Sequence, residues 1–573
     1  MIKDKENLLF YDIEVFKEDS LVIFKNIDKQ TVAVFHNDFN GLDKVIEGKV
    51  LIGYNNYYYD DHILTSMLNC HTPYQIKEKN DDIIVRKVKF NYVDKRIKSL
   101  DCFQQIDATK PSLKKIEANS GKSIIESSVD FNIDRKLTEE ELAETINYCS
   151  YDIDTTIDVF KMREKSYFEP KLGILNRLEN VDKNKAIKWN TTSISAKMLI
   201  DKPLDLWSDI RLGEYNKYGE YELFNAVPDD IVNFWKNNDR GKYTHTEFGC
   251  NIDFAFGGLH GVPVDNKKRY EKVILLDVAS MYPNIIMKLN ALGNATDEYK
   301  NIVSERLSVK HSDKTLSNAL KLVINSVYGL LKNEYSVLYN PNAAKSVCIY
   351  GQICLYDLCK RLSPTCKIVN INTDGVAFTT DSDDYKNVWK EWEEDYGFTL
   401  EEDYFDIFIQ RDVNNYIGAK KNEQGDFTSI KTKGEVWRYG SNTCAYFKNN
   451  NVRIVDLAIV NYLLKGDDVL DTILDNLNKP EVFQVVLQAG GTFQGTVDNA
   501  GKHYNKINRV FATNKEGITL YKLRNDGGLV RFPDTPDNMY IWNDDISKLD
   551  GFKKIIDVNF YYQLILRKLK EWE

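Results

Sequence analysis

The sequence predicts a multidomain protein of mixed α/β and α+β class. Three observations predict it. The chain has 573 residues, which at roughly 150 residues per domain is room for about four cores. Apolar residues make up 43% and charged residues 28%, the balance of an ordinary soluble globular protein. Strand-length apolar runs alternate with stretches of helical periodicity along the chain. With 34 Tyr and 27 Phe against only 12 Pro, long disordered linkers are not expected.

Composition also excludes. There are 76 Lys+Arg against 86 Asp+Glu, a net charge of −10, which argues against a generic nucleic-acid coat. Met1 to Glu6 is charged and is followed by a short strand-like run, so no secretory signal is expected. No stretch approaches the ~18 apolar residues of a membrane span; runs such as Val273 to Leu276 are strand-length. The nine cysteines (Cys70, Cys102, Cys149, Cys250, Cys348, Cys354, Cys359, Cys366 and Cys444) are scattered and form no CxxC. Buried reduced thiols in a reducing, cytosol-like compartment are the expectation.

The first ~165 residues read as an α/β unit. Leu8 to Phe16, Leu21 to Phe24, Thr31 to Phe35 and Val50 to Tyr54 read as strands. Glu139 to Arg163 is helical, with Leu142, Ile146, Cys149 and Ile153 spaced by three or four. Residues 166–250 are polar and mixed, consistent with helices and a connector. Lys272 to Leu276 is an apolar β run, and Thr315 to Leu331 is strongly helical. Lys367 to Thr379 reads as a β-hairpin around Asn372-Thr373-Asp374-Gly375, because Asp-Gly between apolar runs is a tight-turn signal. Val455 to Leu464 begins the tail as a helix, and a basic stretch follows near 502–531.

Carboxylates recur at spacings that carry chemistry. In Asp12-Ile13-Glu14, residues i and i+2 of a strand face one side, so both carboxylates point together. Asn55-x3-Tyr59-Asp60 follows. Tyr148-x3-Asp152 lies on the predicted helix, where i and i+4 share a face. Two metal ions clamping an attacking and a leaving oxygen need several convergent hard oxygen ligands, and a tyrosine hydroxyl can orient the attacking water.

Further along, an apolar strand delivers Asp277 and then turns at Ser280-Met281-Tyr282-Pro283. In Lys321-x3-Asn325-Ser326-x-Tyr328-Gly329, at about 100° per residue, Lys321, Asn325 and Tyr328 form one polar stripe on an otherwise apolar helix. Arg306 and Lys310 repeat the basic i, i+4 spacing upstream, and facing helices bearing these cations suit a triphosphate. Asp374 in the hairpin then has Asp277 as a partner for holding metals in phosphoryl transfer.

The ordered set resembles a family B DNA polymerase of the bacteriophage type, with a DnaQ-like 3′–5′ exonuclease domain in front. The resemblance covers most of residues 8–440. Asp277-x2-Ser280-Met281-Tyr282-Pro283 is similar to motif A (D-x2-S-L-Y-P), the Lys321 to Gly329 run to motif B, and Asn372-Thr373-Asp374-Gly375 to motif C (D-T-D-S). The resemblance implies an RNase H-like exonuclease domain at 1–165 and a connector with the start of the palm at 166–262. It implies palm at 263–294 and 346–430, fingers at 295–345, and a thumb with a C-terminal DNA-binding region at 431–573.

The resemblance also implies roles. Asp277, Asp374 and the Val278 carbonyl would hold two Mg²⁺ ions, with Mn²⁺ as a substitute. Tyr282 would exclude a ribose 2′-hydroxyl, and Ser280, Arg306, Lys310 and Lys321 would hold the triphosphate. Asn325, Tyr328 and Gly329 would line the nascent base pair. Asp12, Glu14, Asp60 and Asp152 would hold the editing metals, with Tyr148 on the water. Asn55, Tyr59, Gly257, Gly258, Asn372, Tyr416, Lys431 and Lys433 would face DNA. Implied partners are primer–template DNA, dNTPs and replication accessory proteins; the enzyme would act as a monomer, off the membrane, in the cytoplasm of a phage host.

The pattern has departures. Asn372 replaces the first aspartate of motif C and carries no charge. Ala255 stands where the tyrosine of a Y-x-G-G connector would be, before Gly257-Gly258, which also fits a plain tight turn. Asn414 replaces the lysine of a K-x-Y primer motif ending in Tyr416, with Lys431 and Lys433 nearby to supply charge. Only 34 residues separate Ile286 from Lys321 and 42 separate Gly329 from Asn372, which leaves no room for the large terminal-protein insertion of protein-primed relatives. The exonuclease motif begins at Asp12, so the N-terminal domain of larger members is also expected to be missing. Two basic clusters, Arg86 to Lys98 and Lys502 to Arg531, are expected to pair with phosphates. Two alternatives stay open: a nucleic-acid-binding scaffold with exonuclease activity only, and a primer-independent polymerase.

Overall fold

A computed structural model describes residue 2 and residues 4–200, 226–238, 240–440 and 446–573; Cys444 and part of the 166–262 connector lie outside them. The N-terminal unit is a five-stranded sheet ordered β3-β2-β1-β4-β5, formed by β1 (Leu8–Val15), β2 (Ser20–Lys25), β3 (Thr31–His36), β4 (Val50–Gly53) and β5 (Ser99–Asp101). β1 runs antiparallel to β2 and parallel to β4, and β5 runs parallel to β4. The helix Glu139–Arg163 opens with a capping box between Thr138 and Glu141. It lays Cys149, Ile153, Ile157 and Phe160 against the sheet, and Phe160 meets Phe10 edge to face. That packing holds the helix in fixed register over β1, which aims Asp152 at the strand carrying Asp12 and Glu14.

The central unit is a nine-stranded antiparallel sheet. Its strands are β6 (Lys242–Glu247), β7 (Cys250–Ala255), β8 (Gly258–Pro263), β9 (Arg269–Val278), β10 (Lys367–Asn372), β11 (Gly375–Thr379), β12 (Leu400–Asp412), β13 (Asn415–Lys421) and β14 (Phe427–Lys433). The order is β14-β13-β12-β9-β11-β10-β8-β7-β6. Between β9 and β10 the chain leaves the sheet as the helices Met281–Lys288, Thr296–Val309, Lys314–Lys332 and Pro341–Leu362. The last is apolar nearly all round and buried, as such a helix must be. The Lys314–Lys332 helix buries Val323, Ile324, Val327, Leu330 and Leu331, leaving the Lys321–Asn325 stripe open. The helix Glu169–Arg177 packs on it, with Gly173 beside Ala319, so the first and central units share one continuous core.

The C-terminal unit joins the helices Arg453–Lys465 and Val558–Leu569 to a three-stranded and a four-stranded sheet within residues 485–541. Periodicity over 493–531 did not announce these short strands. One expectation is corrected here. Arg509, counted in the basic DNA-facing stretch, is fully buried. Its guanidinium donates to the carbonyls of Ala118 (3.0 Å), Lys122 (2.6 Å) and Asp544 (2.7 Å) and to Gln484 Oε1 (3.0 Å). It ties the C-terminal unit to the helix Leu113–Asn119 because five donors on a planar fork satisfy several carbonyls at once. Arg86 and Arg96 of the other cluster are engaged with Asp82 and Asp94.

Among the described residues the eight cysteines are free thiols, seven of them buried. No helix among those residues is long and apolar enough to cross a membrane.

Candidate functional site

Two separate groups of carboxylates form. The first lies on the N-terminal sheet. Asp12 and Glu14 share one face of β1, Asp60 opens the helix Asp60–Leu68, and Asp152 comes from the long helix. Glu14, Asp60 and Asp152 are all buried. Carboxylate oxygens of Asp12 and Glu14 and the Cys149 sulfur lie within 4.8 Å of one another. Burial, followed by the Asp152 charge, pushes the Asp12 carboxyl up to about 8. Burial and then Asp12 raise Glu14 and Asp60 well above the usual carboxylate range. Buried like charges of this kind call for a cation, and the carboxylates offer it hard oxygens beside the one Cys149 sulfur, so the set fits divalent metal ions.

Chemistry separates Asp60 from its neighbour. Asp61 accepts from Tyr11 (2.5 Å), Ser99 (2.7 Å), Asn56 (3.1 Å) and Lys188 (2.6 Å), so it is fully occupied with holding the fold. Sequence reading missed Lys114. Its ammonium is ion-paired to Asp152, stands 3.6 Å from Glu117 and lies 4.5 Å over the Tyr148 ring. Burial lowers the Lys114 ammonium, but Asp152 and Glu117 outweigh that and hold it above its ordinary value. The spacing Ser112-Leu113-Lys114 carried no motif that could have announced it. Asn55 is exposed with a left-handed backbone (φ 64°) and donates its N–H to Asp101 Oδ1 (2.7 Å). Tyr59 donates to Asn80 Oδ1 (2.7 Å).

The second group lies at the centre of the nine-stranded sheet. Asp277 on β9 pairs with Gly375 on β11 and with Glu401 on β12. Asp374 sits in the β10–β11 turn, and its carbonyl accepts the Val278 N–H at 2.7 Å. The hairpin expected here is present, but its turn residues are Thr373 and Asp374, with Thr373 at φ 62°, not Asp-Gly. The physical reason is on β9. A β-carbon at Gly375 would collide with Asp277 Oδ1, so the glycine is a strand residue that makes room for a carboxylate. Burial and then Asp374 push Asp277 up to about 6, against Lys431 and Lys433 on β14. Burial also raises Asp374, against its backbone N–H and Lys433. Both lysines of the K-x-K-G run therefore act on the acids.

The other residues of the expected site stand on several elements. Ser280 is left-handed (φ 51°) at the start of Met281–Lys288, and its side chain makes no capping bond. The Tyr282 ring packs on Tyr328 with centroids 4.6 Å apart, and its hydroxyl donates to the Gly257 carbonyl at 3.1 Å. Gly257 and Gly258 turn β7 into β8 against motif-C-like residues: a β-carbon on Gly258 would lie 3.0 Å from Thr373 Oγ1. The glycine pair is thus a tight turn and a wall of the site together. Tyr416 is buried, stacked on Phe408, with Lys433 Nζ 5.6 Å from its ring centroid. Arg306 lies in the last turn of Thr296–Val309 and Lys310 just beyond it, while Lys321, Asn325 and Gly329 are exposed on the neighbouring helix.

No family model and no curated protein matches the chain. A solved structure, the family B DNA polymerase from the hyperthermophilic archaeon Pyrobaculum calidifontis, is similar over 99% of this chain and 77% of that chain, with 14% identity and a TM-score of 0.43. A likeness this distant carries no argument of its own.

Proposed function

We propose that the chain is a template-directed, primer-extending DNA polymerase with a 3′–5′ proofreading exonuclease, as phage replicative enzymes have. The observation that carries the reading is the meeting of Asp277 and Asp374 across the β9–β11 ladder, in motif order, within one chain that also holds a separate buried carboxylate cluster. On this reading residues 1–165 are an RNase H-like exonuclease domain and 166–262 lead into the palm. Residues 263–294 and 346–430 are palm, 295–345 fingers, and 431–573 thumb and DNA-binding region.

Asp277, Asp374 and the Val278 carbonyl would hold the ions of synthesis, and Asp12, Glu14, Asp60 and Asp152 those of editing. Mg²⁺, or Mn²⁺ in its place, supplies charge neutralisation and Lewis acidity when bound. The chain's own residues do the rest. Arg306, Lys310 and Lys321 offer cations to the triphosphate, and Ser280, with its hydroxyl uncommitted, offers a donor. Tyr282 is braced on one side by Tyr328 and on the other by Gly257, so its ring is a fixed wall that a ribose 2′-hydroxyl would meet. Asn325, Tyr328 and Gly329 line the base pair. The primer 3′-hydroxyl attacks the α-phosphate and pyrophosphate leaves. In editing, the Tyr148 hydroxyl orients the water. Asn55, Tyr59, Gly257, Gly258, Asn372, Tyr416, Lys431 and Lys433 follow the DNA.

Single-nucleotide primer extension on a defined template tests this. Asp277→Ala loses synthesis on the order of a thousandfold while digestion continues, since the ions' several kcal/mol are removed at one site only. Asp12→Ala with Glu14→Ala does the reverse. Wild-type protein that digests but never extends a primer overturns the reading.

A further inference from the structure

The β10–β11 turn that carries Asp374 faces the turn between β12 and β13. Asn372 ends β10 and reaches across. Its Nδ2 donates to the Val413 carbonyl at 3.0 Å and to Asn414 Oδ1 at 3.4 Å. A carbonyl only accepts, so this contact fixes which way the amide faces. Asn372 Oδ1 is then left to accept from Thr373 Oγ1 at 3.3 Å, and that hydroxyl also stands 3.2 Å from His260 Nε2. The next residue is Asp374, pinned through its own carbonyl to Val278.

The opposite turn is equally tied down. The Asn414 N–H donates to Asp412 Oδ1 (3.0 Å), and Asn415 Nδ2 bridges both Asp412 oxygens (2.7 and 2.8 Å). Asn415 Oδ1 accepts the Glu435 N–H at 2.7 Å. Asn370 Nδ2 adds a second donor to Val413 O at 3.3 Å. Position 372 is therefore met by two acceptors from a turn that has no freedom to withdraw.

We propose that Asn372 and Asn414 are a matched neutral pair that positions Asp374, so the uncharged residue at 372 is a working part of the site. The inference rests on the polymerase reading. A carboxylate at 372 has no hydrogen to donate and sets an oxygen against both Asn414 Oδ1, which loses its donor, and Val413 O, which keeps only the Asn370 amide. An ammonium at 414 supplies that donor and forms an ion pair with the new carboxylate, which it cannot form with the neutral amide of Asn372. Two of the departures from the D-T-D-S and K-x-Y patterns, at 372 and 414, are thus one change in two places. Beyond its place along the proposed DNA path, Asn372 is a positioning residue, since its amide is committed to Val413, Asn414 and Thr373 and acts on Asp374 through Thr373.

The test is a double-mutant cycle with Asn372→Asp, Asn414→Lys and both together. Asn372→Asp lowers kcat for primer extension by roughly tenfold, with dNTP KM and digestion of single-stranded DNA unchanged. A merely structural role would move digestion as well. The double variant returns most of the lost kcat. The same cycle on the thermal midpoint shows the loss and recovery even in a protein that fails to extend primers, which separates failure of the pair from failure of the polymerase reading. Asn372→Asp with kcat and midpoint at or above wild type, or a double variant no better than the single, overturns the proposal.

Discussion

The carboxylates on β1 and those at the β9–β11 join are the same residue types in unlike surroundings. Glu14, Asp60 and Asp152 are buried between a packed sheet and helix with Asp12 half-buried beside them, and the ammonium of Lys114 stands against Asp152. Asp277 and Asp374 lie at an open sheet end, with Lys431 and Lys433 moderating their charge from β14. The consequence is a difference in how each site lives without a metal. In the buried cluster Asp12 holds its proton up to about 8, whereas in the open one Asp277 holds it only up to about 6. Burial strengthens repulsion as much as it strengthens binding, so a bound cation would matter more to the buried cluster.

The sharpest way to break the comparison is at Gly375. The open site owes its tightness to an absent atom: Asp277 Oδ1 occupies the space where a β-carbon would be. Gly375→Ala forces Asp277 or β11 to move, a strain of about 1–3 kcal/mol, and synthesis falls by about a hundredfold. Digestion, which uses no part of β11, stays at the wild-type rate. Extension and single-strand digestion measured on one preparation check it; equal losses in both would mean that the sheet, not the carboxylate, was disturbed.

A smaller effect is expected from the other site's single cation. Lys114→Met leaves Asp152 without its charge-assisted hydrogen bond, worth roughly 1.5–3 kcal/mol. Digestion falls by about tenfold and synthesis does not change. A Lys114→Arg variant that recovers activity would show that charge at this position is what matters. Digestion at the wild-type rate in Lys114→Met would mean that the ions alone set the electrostatics there.

The two sites were not equally legible. The placement of Asp12 with Glu14 and of Tyr148 with Asp152 was readable because strand and helix periods put them on shared faces, and the helix Glu139–Arg163 falls where its apolar spacing puts it. Asp277 and the Lys321–Asn325 stripe were readable for the same reason. Lys114 was not, because its role depends on a helix packing beside Asp152 from 38 residues away. Gly375 was read as a turn former, since sequence shows what a glycine permits locally and not which side chain occupies the space it leaves. Arg509 was counted among phosphate-facing cations; only tertiary structure reveals that carbonyls of the N-terminal unit surround it.

The finest expected difference is in protons. Asp12 has its folded value raised above that of an unfolded aspartate, about 3.9, so the cost of ionising it is absent below that pH and fully present above about 8. Metal-free protein accordingly loses stability from this group as pH climbs through that window, and Asp12→Asn raises the thermal midpoint at pH ~8.5 but not at pH ~4. Asp277 follows the same sign over a narrower window that closes at about 6. Metal binding replaces the retained proton. At pH ~7 the buried cluster therefore releases protons on taking up Mg²⁺, that of Asp12 among them, while Asp277 has little proton left to release. Calorimetry in two buffers of different ionisation enthalpy measures this directly, with Asp277→Ala isolating the buried cluster and Asp12→Ala with Glu14→Ala isolating the open site. Equal proton release from both would remove the electrostatic contrast between them. On the proposed function, its presence predicts that editing weakens before synthesis as pH falls below 8, about tenfold in metal affinity per pH unit for each proton displaced.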